Sequence, residues 1–120
     1  EVIALLVRHH RDAGYRYFVV DHLWPTAADL GRLRERMRAL DAALQVRCFL
    51  LELPLALNLQ RIAGRQAARA IDERDFELRT VSEERGRLAA AAPGSLGEPF
   101  DVSAPPALLV ERMLARLGLP

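Results

Sequence analysis

Lysine is missing from the chain: all seventeen of its basic residues are arginine. Chemistry that needs a lysine ammonium must take it from elsewhere. Cysteine occurs once, at Cys48. An internal disulfide is therefore excluded, and a lone thiol in an apolar stretch fits a reducing, cytoplasmic setting and needs no role beyond that of a small hydrophobe. Long apolar runs are missing too. The longest, residues 48–59, is broken by Glu52 and Pro54 and falls short of the roughly 18 residues a spanning helix needs. Neither a secretory signal nor membrane contact is expected. Charge of one sign is not in excess, since seventeen basic residues face sixteen acidic ones for a net charge of +1. That balance argues against a nucleic-acid surface built on bulk charge. The histidines, His9, His10 and His22, include no i, i+4 pair of the zincin type, so no histidine metal site is expected. No G-x-S-x-G occurs and no general base lies near Cys48 in sequence, so nucleophilic catalysis finds little support.

What is present reads as a globular α/β chain. Hydrophobic residues make up 51% and charged residues 28%, and 120 residues correspond to one domain or a piece of one. The chain opens at Glu1 already inside a helical pattern, which leads us to expect part of a longer protein. Residues 2–13 form an amphipathic helix with Ile3, Leu6, Val7 and His10 on one face and Gly14 to end it. Residues 17–20, aromatic and β-branched on both faces, read as a short buried strand of a parallel sheet ending at Asp21. After a turn at Trp24 and Pro25, Thr26 and Asp29 make a capping-box-like T-x-x-D. The helix it opens buries Leu30, Leu33, Met37, Leu40 and Leu44. Residues 46–53 give a second strand, and Pro54 starts a helix that runs to about Ile71 across Gly64. Residues 72–92 are strongly charged, with Phe76, Leu78, Val81 and Leu88 alone to bury, and suit a mobile arm or lid. A loop over residues 93–99, a short strand at 100–102 and a final helix follow. That helix begins at Pro105 and Pro106, turns Leu109, Val110, Met113, Leu114 and Leu117 inward, and ends at Gly118.

The candidate chemistry lies in arginines. Arg61, Arg65 and Arg69 recur every four residues and so share a helix face, where like charges repel by about 0.2–0.5 kcal/mol per pair. Only Arg69 has carboxylates three and four residues away, Asp72 and Glu73. The stripe reads either as a solvated basic face or as a clamp on phosphate. Gly64, between two of these arginines, serves either a close approach to the backbone or packing against another helix. Asp21 ends a strand where open α/β sheets bind ligands, although an acid there also caps turns.

Three segments in order, YFVVDH, FLLELPLALNLQRIAGR and PFDVSAPPALLVERMLARLGL, resemble the small P-loop phosphotransferases. These are the shikimate kinase, gluconate kinase and chloramphenicol phosphotransferase type and related ATP-binding proteins. The resemblance spans nearly the whole chain. It implies a three-layer α/β fold, a P-loop NTPase-like parallel sheet with helices on both faces, in which residues 1–120 form a single partial kinase-like domain and residues 55–92 a lid-like helical arm. Asp21 would stand in the Walker B place, near Mg²⁺ through water, with His22 and Trp24 lining the substrate site. Arg61 and Arg65 would act on the phosphates as catalytic lid arginines, Arg69 would contribute to nucleotide binding, and Ser103, Ala104 and Pro105 would lie against the adenine of ATP. The departure is G-x-x-x-x-G-K-[ST], which these residues lack together with any lysine. The first, central strand, expected between residues 17–21 and 46–53, is missing with it. The resemblance therefore implies ATP-dependent phosphoryl transfer to a small molecule by a cytoplasmic enzyme, with these residues inactive alone. Exposed strand edges would invite self-association. The alternatives are a non-catalytic interaction or regulatory module and a receiver-type domain, the latter disfavoured by the missing lysine.

Overall fold

The computed structural model describes residues 2–22, 24, 26–64 and 71–120, with nothing said of the side chains of 71–74. The chain divides into two compact units, Glu1–Val46 and Arg47–Pro120. Among the described residues there are five helices and a two-stranded parallel sheet, a small α/β fold.

The first unit is a helix pair. Helix α1 (Val2–Asp12) ends as its glycine requires: Gly14 adopts φ 94°, and its N–H donates to Arg11 O while Tyr15 N–H reaches back to His10 O. This is the Schellman pattern, in which a left-handed residue satisfies the last carbonyls. Helix α2 (Ala27–Leu40) starts at the expected capping box, with Thr26 Oγ accepting from Asp29 N–H at 3.2 Å and donating to the Asp29 carboxylate at 2.6 Å. It stops before Leu44, because Asp41 adopts extended backbone and its carboxylate captures the Ala43 N–H at 2.8 Å, an Asx turn that competes with the next helical bond. Arg11 joins the two helices, donating to the Leu40 carbonyl at 3.1 Å with Asp41 3.6 Å away. Val7, Leu30 and Met37 are the buried residues of this unit.

Residues 17–20 are not the expected strand. They run extended, but no described backbone pairs with residues 16–22, and Tyr17 and Val19 are 73% and 95% exposed. A strand is a property of a pair, since its N–H and C=O groups point sideways to a neighbour. Propensity alone does not supply one.

The second unit is built on strand β1 (Phe49–Glu52) and strand β2 (Glu98–Asp101), parallel and in the register Phe49 to Glu98 through Glu52 to Asp101. The ladder extends one bond beyond each end, from Glu98 N–H to Cys48 O and from Val102 N–H to Glu52 O. The even-numbered N–H groups of β2 thus face β1, and Pro99 falls on the side where its missing donor breaks no ladder bond. Phe49 and Phe100 meet edge to face at 5.6 Å, and Phe100, Ile62, Val81 and Leu96 form the core.

Helix α3 (Leu55–Ala63) begins after Pro54 and is capped at Gly64, so the glycine marks its end rather than a mid-helix gap. Helix α4 (Ile71–Ala89) packs on α3, buries Val81 and donates from Arg85 to the Leu53 carbonyl at 2.6 Å, which fixes its C-terminal half beside the end of β1. Helix α5 (Pro106–Leu117) starts with proline and ends at Gly118 in a second Schellman pattern. Leu109, Met113, Leu114 and Leu117 are half-buried. Val110, expected inward, is exposed, because the inward stripe spans a narrower arc than five apolar residues need.

Gly97 is the tightest point of the sheet. At φ 124° a Cβ would stand 2.8 Å from the Cys48 carbonyl oxygen, which is itself bonded to Glu98. Gly97→Ala is expected to destabilise the unit by about 2 kcal/mol or more, read as a lowered denaturant midpoint. An unchanged midpoint would mean the strands can shift apart without loss.

Candidate functional site

The strands run parallel, so both leave the sheet at the same end. Beyond β2 the chain makes a tight turn: the Asp101 carboxylate accepts the Ser103 N–H at 2.8 Å and the Ser103 hydroxyl. Beyond β1 the chain enters α3, whose last turn carries Arg61. Its guanidinium reaches across to the same turn, Nη1 donating to Val102 O at 3.0 Å and Nη2 to Ser103 O at 3.3 Å. Two expected site elements, Arg61 and the loop at Ser103, Ala104 and Pro105, are therefore brought together. Ser103 and Pro105 are exposed and Ala104 half-buried.

The acceptors of Arg61 are neutral carbonyls, and no described carboxylate pairs with it. The Ser103 hydroxyl and N–H hold the Asp101 carboxyl below its usual value, against some desolvation and with help from Arg112. The sequence points to Ser103 as a site residue but not to Asp101, whose carboxylate sits in the same turn.

Arg65 and Arg69 are outside the described residues. Asp21, His22 and Trp24 belong to the first unit, with the His22 and Trp24 rings edge to face at 4.6 Å. Asp21 is exposed and has no hydrogen bond or ion pair among the described residues. It ends an apolar groove of about 560 Å³ lined by Ile3, Leu6, Val7, His10, Tyr17 and Phe18. Among the described residues no group of three or more His, Cys, Asp or Glu side chains clusters to hold a metal. No described helix is long and apolar enough to cross a membrane.

Compared with family models, with curated proteins and with solved structures, the chain finds no match.

The Asp101 carboxylate gives a pH prediction. Its folded value is lowered, so the stability it contributes is fully present above the unfolded value of about 3.9 and is lost as pH falls through the folded one. An NMR titration of the Asp101 carboxyl carbon is expected to give a midpoint below about 3.9, with the Ser103 amide shift moving in step. A midpoint at or above that value would mean that the turn is not held in solution.

Proposed function

We propose that this chain is part of an ATP-dependent phosphotransferase acting on a small molecule, with its second unit contributing the arginine and turn that receive the nucleotide. The observation that carries this reading is Arg61 seated on the Val102 and Ser103 carbonyls with its charge unanswered among the described residues. Phosphoryl transfer is mostly positioning and charge neutralisation, and a planar guanidinium meets phosphate oxygens with two hydrogen bonds. The site stands at the C-terminal ends of parallel strands, where open α/β sheets bind ligands.

Strand order supports the same reading. β2 occupies one edge of β1, and Pro99 removes a donor from the outer edge of β2. That leaves the other edge of β1 for the central strand the resemblance calls for. The phosphate loop and its lysine would come from outside these residues. The resemblance implies Mg²⁺ as a further source of charge neutralisation, with Asp21 as its carboxylate and His22 and Trp24 as substrate residues.

Calorimetry with Mg²⁺·ATP on the full natural chain tests the proposal. Binding is expected, and Arg61→Ala is expected to weaken it about tenfold or more, the loss of a charge-assisted bidentate contact. A full natural chain that ignores ATP would sink the assignment.

The second reading, a non-catalytic interaction module, draws on a different observation. The extended residues 17–20 expose Tyr17 and Val19, and α1 exposes Val2, Leu5 and Leu6. If this surface pairs two copies, light scattering will show association that Val19→Asp abolishes and Arg61→Ala leaves intact. A monomer at all concentrations would remove this reading.

A further inference from the structure

No hydrogen bond or ion pair joins Asp101 to Arg61, yet the same turn holds both. The Asp101 carboxylate fixes Ser103 through two hydrogen bonds, and the turn so formed presents the Val102 and Ser103 carbonyls that grip the Arg61 guanidinium. An exposed arginine otherwise samples many rotamers, and ordering it on binding opposes affinity. Here that ordering precedes any ligand.

The grip also leaves capacity. A guanidinium has five N–H groups, of which two are engaged by carbonyls among the described residues. The rest remain for an anion, and neutral carbonyls leave the positive charge intact. A carboxylate partner would have positioned the arginine equally well but neutralised it.

We propose that Asp101 is a positioning residue for polyphosphate binding: through the Ser103 turn it fixes the backbone carbonyls that aim Arg61 at the phosphates of a nucleotide. The inference rests on the phosphotransferase reading above and adds to it a residue that itself never meets the ligand. Asp101 carries a negative charge near a phosphate site, so on charge alone its removal would strengthen anion binding. The positioning role predicts the opposite sign.

The test is a double-mutant cycle on the full natural chain, titrated in a calorimeter with pyrophosphate and with Mg²⁺·ATP. Asp101→Ala is expected to weaken both ligands about threefold to tenfold, and to cause no further loss when Arg61→Ala is already present. Asp101→Asn keeps an amide oxygen able to accept from Ser103, and is expected to restore most of the affinity. Tighter binding by Asp101→Ala, or losses that add to those of Arg61→Ala, would overturn the positioning role while the nucleotide reading stood. A wild-type chain that binds neither ligand would overturn both. Should Asp101→Ala fail to fold, Ser103→Ala, which removes the hydroxyl bond alone, enters the same cycle with the same expected non-additivity and a smaller loss.

Discussion

Parallel pairing of β1 with β2 is the constraint from which the second unit follows. Antiparallel strands would leave the sheet at opposite ends. Parallel ones leave together, so the entry to α3 and the turn after β2 lie side by side. The ladder does not stop at the strands, because the bond from Val102 N–H to Glu52 O carries it into the turn. The turn is therefore registered against β1 before any side chain takes part, and Arg61, in the last turn of a short helix, is within reach of it. At the opposite end of the ladder, Glu98 pairs with Arg47 at 3.3 Å and with Arg116 in the last turn of α5. That helix must run back alongside the sheet to bring Arg116 there. Such exposed pairs contribute little stability; the close backbone contact at Gly97 constrains far more.

The first unit shows what a chain looks like without such a ladder. Its buried residues are Val7, Leu30 and Met37, while α1 and the extended segment after it leave Val2, Leu5, Leu6, Tyr17 and Val19 exposed. Backbone ordering costs about 1–2 kcal/mol per residue, and only apolar burial offsets it on that scale. Three buried side chains and an arginine tie between α1 and α2 are a thin basis for a fold, so this unit has more apolar surface to bury than its own residues can cover.

The pattern explains what was legible in the sequence. Local chemistry read correctly: the T-x-x-D box at Thr26, the glycines ending α1 and α5, and the prolines opening α5. Each of these is decided by residues within a turn of one another. Features that depend on distant partners read poorly. Residues 17–20 have every strand propensity and no strand to pair with. Gly64 looks alike in sequence whether it interrupts a helix or caps one, and here it caps α3. Leu44 keeps helical spacing, but Asp41 ends the helix first. For the site, the arginine stripe pointed to Arg61, yet nothing in residue type could show that its acceptors are main-chain carbonyls, which every residue carries.

Those acceptors set Arg61 apart from the arginines that the fold ties to carboxylates. Arg11, Arg32, Arg47, Arg87 and Arg116 each pair with a carboxylate, so their charge is answered within the fold. Arg85 also donates to a backbone carbonyl, but it is half-buried and ties α4 to the end of β1. Arg61 combines a fixed direction with exposure and, among the described residues, an uncompensated charge. A residue kept only for stability gains from neutralisation, and α3 could reach the same turn with a neutral donor at lower desolvation cost. An arginine held by neutral groups retains the long-range attraction that a neutral donor lacks, and that attraction has a physical use when the partner is an anion arriving from solution.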